Sequence, residues 1–188
     1  MKKTLSIIGF AGLIFAIGCA KLKSLTTINI DLPTYTNQIY LPSVYDTLRS
    51  HFPAGGVQIS LPALPIVTNS QQYISTYNTT VKDITSISVK QATLQMVSPS
   101  GAYFDYLDSI SIYMSATNLP TVLFASKTNI PKGQNILTLD VAADTALKSY
   151  FLKDTIYMQT NAHFNNVPPA SSVVESKITF HMVANPLN

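Results

Sequence analysis

The chain of 188 residues has no tryptophan, one cysteine and few charged side chains, which form 11% of the sequence. A single cysteine excludes an intramolecular disulfide, a Cys-rich zinc site and a dithiol redox motif. The 12 basic and 9 acidic residues are scattered and form no basic stripe, so we expect no binding to nucleic acid. The seven glycines are dispersed, so the glycine-rich loops that bind nucleotide phosphates are absent from the sequence.

The N-terminal segment has the clearest pattern. Residues 5–18 form an apolar stretch of 14 residues behind two lysines. This stretch is too short for a membrane-spanning helix, which needs about 20 residues, but it has the length of the apolar core of a secretory signal. Ala16 and Gly18 would suit ordinary signal cleavage. The residue that distinguishes between signal types is therefore Cys19, which follows directly.

The run Ala16-Ile17-Gly18-Cys19 resembles the lipobox of bacterial lipoproteins, and with the preceding segment it is similar to a type II signal peptide. The resemblance implies cleavage before Cys19 and anchoring of the mature chain through a thioether-linked diacylglycerol and an N-acyl group. Two or three acyl chains make such attachment stable, since each buried methylene contributes about 0.8 kcal/mol. Neither an aspartate nor an acidic cluster follows Cys19, which favours the outer membrane, facing the periplasm.

The predicted organisation is a signal peptide over residues 1–18, a lipidated tether over 19–25 and one domain over 26–188. Removal of the two lysines of the signal from the 12 basic residues leaves ten against 9 acidic ones, so the mature protein is nearly neutral. A domain of this length buries about 70% of its unfolded surface. Its stability is expected to come from a packed core.

The period of the apolar residues predicts an all-β fold. Apolar and polar residues alternate most clearly over 156–164 and 178–182, as in strands with one buried face. Further extended segments separated by turn residues are predicted at 26–32, 36–41, 57–61, 109–116, 121–126 and 134–141. We therefore predict a two-sheet Greek-key β-sandwich, immunoglobulin-like or related, with a jelly roll or a barrel as alternatives.

Three local features refine this prediction. In the segment 85–98 the apolar residues change phase between Val89 and Ala92, and a β-bulge near Lys90 would place both sets in the core. The two prolines of residues 62–65 predict an edge strand or a loop. Short helices are predicted from Ser43 to the residue before Pro53 and over 143–152, since apolar residues recur there at helical spacing.

Two pairs of polar residues are candidates for chemistry. Asp105 and Asp108 would serve as acid and base or bind calcium. Acid–base catalysis by two carboxylates needs a defined separation between them across a cleft, and a calcium site needs more oxygen ligands than two side chains supply. A turn in which both neighbouring apolar residues pack inward is the simpler interpretation. His163 and His181 would form a metal pair if their strands were adjacent, yet zinc requires three or four ligands, so we predict that both are solvent-exposed residues of outward strand faces. No metal site, cofactor or nucleophile elbow is predicted.

Aromatic residues supply the remaining candidates. The chain has ten tyrosines, and Tyr113 and Tyr157 alternate outward on predicted strands, where they would form a stacking or partner-binding surface. The leading hypothesis is a non-enzymatic, lipid-anchored envelope module with a structural or protein-interaction role. The alternative is a binding lipoprotein for a glycan or a small hydrophobic ligand. An interior cavity or a tyrosine-lined groove would favour the alternative.

Overall fold

The computed structural model describes residues 27–41, 51–142 and 147–185. Cys19, the tether and residues 43–50 of the helix predicted from Ser43 lie outside these residues, as do 143–146. The described residues form two short helices, α1 (Ser70–Thr76) and α2 (Lys148–Phe151). They also form eleven strands: β1 (Ile28–Asp31), β2 (Tyr35–Tyr40), β3 (Val57–Ser60), β4 (Leu64–Val67), β5 (Ile84–Ser98), β6 (Leu107–Ala116), β7 (Leu119–Thr128), β8 (Ile136–Thr138), β9 (Asp140–Val141), β10 (Thr155–Phe164) and β11 (Val173–Ala184).

The strands form two antiparallel sheets packed face to face, which confirms the all-β sandwich prediction. The five-stranded sheet has β11 at its centre, with β1 and β2 on one side and β5 followed by β8 on the other. The six-stranded sheet has β10 in the corresponding place, with β3 and β4 on one side and β6, β7 and β9 on the other. The last two strands of the chain, β10 and β11, are therefore central strands of different sheets.

The pairing is nested along the chain. β1 and β2 pair with β11, β3 and β4 pair with β10, β5 pairs with β8, and β6 pairs with β7. If β1 with β2, β3 with β4, and β8 with β9 are each counted as one interrupted strand, this is the order of an eight-stranded jelly roll. The jelly roll is one of the alternatives that the sequence leaves open. It differs from the immunoglobulin order, in which the last two strands share a sheet.

The core lies between the sheets and follows the predicted alternation. On β10 the side chains from Ile156 to Phe164 alternate between buried and outward positions, and β6 and β11 behave in the same way. The predicted bulge in β5 is present, because Thr179 of β11 pairs with Gln91 while Phe180 pairs with Val89, which leaves Lys90 without a partner in the ladder. Val89 and Ala92 are both buried as a result.

Two local predictions need correction. The segment 134–141 forms two short strands rather than one, because β8 joins β5 while β9 joins β7 in the other sheet. The helix α1 has no counterpart in the sequence prediction, and its residue Ile74 packs into the core. The predicted edge position of residues 62–65 is correct in that β4 pairs only with β10 among the described strands. Neither of the two helices described is long and apolar enough to cross a membrane.

The edge of β5 beyond β8 is covered by α2 and the residue before it. The backbone N–H of Leu147 donates to the carbonyl of Ile87 at 3.2 Å, and the Lys148 ammonium donates to the carbonyl of Ile84. These bonds satisfy backbone groups that would otherwise offer an edge for pairing with another chain. This part of the β5 edge is therefore protected.

Candidate binding surface

Asp105 and Asp108 have separate structural partners. The Asp105 carboxylate accepts a hydrogen bond from the backbone N–H of Gly133 at 2.7 Å, and the Lys132 ammonium donates to the Asp105 carbonyl. Asp105 thus joins the β5–β6 connection to the β7–β8 connection. Phe104, next to it, is buried as expected for the turn. Asp108 lies at the start of β6, where its carboxylate accepts from Asn165.

The structure does not bring His163 and His181 together. His163 lies on β10 and His181 on β11, which belong to different sheets because the β10–β11 connection crosses the sandwich. Each histidine instead meets an aspartate through Nδ1. His163 lies 3.3 Å from Asp108, and His181 lies 2.9 Å from Asp31. No cluster of three or more potential metal ligands occurs in the residues that the structure describes.

The ring of His163 is held by packing as well as by Asp108. Gly56 has a φ of +78°, and a Cβ built on it would lie 2.5 Å from Cε1 of His163 and 2.5 Å from the carbonyl oxygen of Phe164. The absence of a side chain at Gly56 therefore lets the turn before β3 close against β10. This close packing gives His163 a structural role at the end of the six-stranded sheet.

Asp31 is the centre of a charged cluster on the five-stranded sheet. Its carboxylate meets the ammonium group of Lys90, the residue at the bulge, as well as His181. The hydrogen bond from Lys90 and, second, the one from His181 lower the pKa of the Asp31 carboxyl from its ordinary value. All three side chains are substantially exposed, so the cluster links β1, β11 and β5 at the surface without forming a cleft.

We expect that the double replacement Asp105→Asn with Asp108→Asn, or His163→Gln with His181→Gln, leaves the cellular role of the protein intact. The observed contacts join loops and strands, and their loss should cost about 0.5–2 kcal/mol of folding stability. Complementation of a deletion strain that has a scorable envelope phenotype would measure the role, with thermal unfolding recorded in parallel. A folded double variant that fails to complement would contradict the structural interpretation of that pair.

The structure brings the two candidate tyrosines together. Tyr113 lies on β6 and Tyr157 on β10, which are neighbouring strands at the centre of the six-stranded sheet. Tyr113 is directly opposite Gln159, while Tyr157 is opposite Ser115, so the tyrosines are diagonal neighbours on the outward face. Tyr157 is 40% exposed. Both side chains are therefore carried by long strands whose other faces are fixed in the core.

The residues around the tyrosines are polar and uncharged. We define the tyrosine face by six of the outward residues of the two strands, those in the middle of the paired segment: Ser111, Tyr113, Ser115, Tyr157, Gln159 and Asn161. Exposed Leu123 of β7 borders it opposite Tyr113, and Pro65 of β4 borders it opposite Tyr157. The polar residues of the tyrosine face could have been predicted from the sequence, since they alternate with core residues on the same strands as the two tyrosines.

Asn161 stands out within the tyrosine face. Its Oδ1 atom is buried and accepts no hydrogen bond from the described part of the chain. The outward residues opposite it on the flanking strands are Ser60 of β3 and Ser111 of β6. A buried acceptor without a donor costs about 1–3 kcal/mol, and such groups call for a specific explanation, for example a bound water or ligand.

The interior of the sandwich is nearly filled. In the described part of the chain, two cavities lie between the sheets near β2, and each has a volume of about 30 Å³. Such a volume holds one or two water molecules, whereas pockets for small ligands measure about 300–1,000 Å³. The polar side chains of Thr160 and Ser176 line the first cavity. These cavities do not support the alternative of a hydrophobic ligand inside the sandwich.

Comparison of the chain with protein-family models, with curated proteins and with solved structures gave no significant match.

Proposed function

We propose that this protein is a lipid-anchored, non-enzymatic module of the bacterial cell envelope that binds a partner through the tyrosine face. In this proposal Cys19 carries the acyl chains, and the domain stands on the outer membrane, facing the periplasm. The observation that carries the binding role is the placement of Tyr113 and Tyr157 side by side on the outward face of the six-stranded sheet. Aromatic side chains with little conformational freedom are characteristic of recognition surfaces.

The contacts of the polar candidates support a non-enzymatic role. A nucleophile or an acid–base pair is expected in a cleft with a general base and an electrostatic stabiliser at hand. The aspartates and histidines that the sequence singled out instead hold loops and strands together, as Asp105 does with Gly133 and His181 does with Asp31. Their contacts account for their presence in structural terms.

Anchoring is tested by Cys19→Ser. We expect this substitution to abolish labelling by a palmitate analogue and to leave the chain unprocessed or in the wrong compartment, because serine cannot form the thioether bond. The measurement is metabolic labelling with fractionation of the envelope, and Ser24→Ala in the tether is the matched control that should keep its label. Retention of label by Cys19→Ser would contradict the anchoring proposal.

The binding role is tested by affinity purification of the acylated protein from its native envelope. Material that copurifies with the wild type is expected to be lost when Tyr113 and Tyr157 are both replaced by alanine. Tyr40→Ala is the control, because Tyr40 is 69% exposed but lies on β2, in the other sheet. Identical recovery with the tyrosine-face variant and with the control would contradict a role for this face.

A further inference from the structure

We infer that the partner of the tyrosine face is an uncharged glycan chain, an inference that rests on the proposed binding role of that face. A sugar ring presents C–H groups on its two faces and hydroxyl groups around its rim. An aromatic ring packs against the C–H faces of the sugar, and side chains that both donate and accept hydrogen bonds are complementary to its hydroxyl groups. The tyrosine face combines these two kinds of group on adjacent strands.

The hydrogen-bonding groups of the face suit hydroxyl partners. Gln159 lies directly opposite Tyr113, and Asn161 lies opposite Ser111. Amide and hydroxyl side chains each offer donors and acceptors, as a sugar hydroxyl does. Along β10, from Tyr157 to Asn161, the face extends for about 13 Å at about 3.3 Å per residue. It is therefore long enough to contact more than one ring of an extended chain.

The charge of the face favours a neutral ligand. None of its six residues is charged, and the ionisable side chains near it have partners: His163 meets Asp108, and Lys127 meets Asp140. A nucleic acid or an anionic lipid surface would require a basic patch. The face therefore has complementary chemistry for an uncharged, hydroxyl-rich polymer.

The unpartnered Oδ1 of Asn161 is the second observation that points to a ligand. It lies within the polar part of the face, between strands that present Ser60 and Ser111. A water molecule held beneath the face, itself hydrogen-bonded to a ligand hydroxyl, would supply the missing donor. Asn161 is thus expected to contribute to binding and to contribute little to the stability of the free protein.

The test is affinity electrophoresis of the full acylated chain in detergent, through gels that contain one soluble polysaccharide each. The neutral probes are hydroxyethylcellulose, laminarin, mannan and soluble starch, and polygalacturonate is the charged control. We expect at least one neutral probe to retard the wild type. Tyr113→Ala and Tyr157→Ala should each weaken the apparent affinity about tenfold, while the control Tyr40→Ala should leave it unchanged.

Asn161→Ala separates a binding role from a structural one. We expect weaker retardation by the same probe with no loss of thermal stability, because the substitution removes an acceptor that has no partner among the described residues. Lower stability with unchanged retardation would overturn the role assigned to Asn161.

The same measurements distinguish the glycan inference from the function on which it rests. If no neutral probe retards the wild type, but a protein copurifies with it and is lost with the two tyrosines, the glycan inference is wrong and the proposed function stands. If neither a probe nor a copurifying partner depends on the tyrosines, both are wrong. Retardation by polygalacturonate alone would overturn the requirement for a neutral ligand.

Discussion

Replacement of Phe180 by alanine is expected to lower the free energy of unfolding by about 3–5 kcal/mol. The Phe180 side chain is 1% exposed at the centre of β11. Its ring packs edge-on against Tyr35, with 5.7 Å between centroids, and lies 6.1 Å from the ring of Phe151. Truncation would leave a cavity where β11, β2 and α2 meet, and three elements cannot close together over it without distorting their backbone hydrogen bonds.

The matched control is Thr179→Ala, one residue earlier on the same strand. The Thr179 side chain points outward, where its hydroxyl lies 2.8 Å from that of Thr34. Loss of one exposed hydrogen bond should cost no more than about 1 kcal/mol. Denaturant titration of both variants measures the difference. Equal losses of stability would contradict the assignment of Phe180 to the buried face and of Thr179 to the outward face of β11.

The second large effect is expected for Gly56→Ala, which should destabilise the protein by about 2–5 kcal/mol. Two independent costs combine in this variant. The φ of +78° is unfavourable for a residue with a Cβ, by about 1–2 kcal/mol. The added methyl group would also meet the His163 ring and the carbonyl oxygen of Phe164 at 2.5 Å, so that the turn must move away from β10.

Two other glycines separate these costs. Gly133 has a φ of +74°, and no described atom lies within 4 Å of the position that a Cβ would occupy there, so Gly133→Ala should show the backbone strain alone. Gly55 has neither a left-handed φ nor a close neighbour in the described part of the chain, and Gly55→Ala should be neutral or slightly stabilising. Thermal and chemical unfolding of the three variants should give the order Gly56, Gly133, Gly55 from most to least destabilised. A loss for Gly56→Ala no larger than that for Gly133→Ala would show that the turn relaxes freely.

The partner of Gly56 provides an additional check. His163→Ala removes the ring that a Cβ at residue 56 would meet, but the carbonyl oxygen of Phe164 remains in place. The double variant should therefore recover only part of the loss caused by Gly56→Ala, a coupling that a double-mutant cycle measures. Full recovery of stability in the double variant would mean that the whole clash is with the His163 ring. No recovery would mean that the clash is with the carbonyl oxygen of Phe164.

The positions of the candidate binding residues depend on two kinds of information, the alternation of side chains along one strand and the pairing of that strand with others. That Tyr113 and Tyr157 point outward follows from local alternation, because successive side chains of a strand point to opposite faces. That they are neighbours follows only from the pairing of β6 with β10, strands separated by more than thirty residues of chain. The same distinction explains Asn161, whose burial between β3 and β6 is a property of three strands rather than one.

The histidines illustrate how local pattern and tertiary structure diverge. His163 and His181 each follow the alternation of their own strand, as predicted, yet β10 and β11 belong to opposite sheets. Consecutive strands in an antiparallel protein often pair with each other, and a metal pair between these histidines would have required β10 and β11 to do so. Here β11 crosses to pair with β5 and β1, so His181 meets Asp31 while His163 meets Asp108.

Local sequence pattern was sufficient to specify the all-β class, the buried faces of β5, β6, β10 and β11 and the bulge at Lys90, because these depend on a period of two residues and on where its phase changes. It also contains the run Ala16-Ile17-Gly18-Cys19, which resembles a lipobox. The sheet that each strand joins became known only from the folded chain, since the nested order of the jelly roll depends on contacts between distant segments. The division of residues 134–141 between two sheets and the closure of Gly56 against His163 follow from that order, because both depend on which strands the fold places side by side.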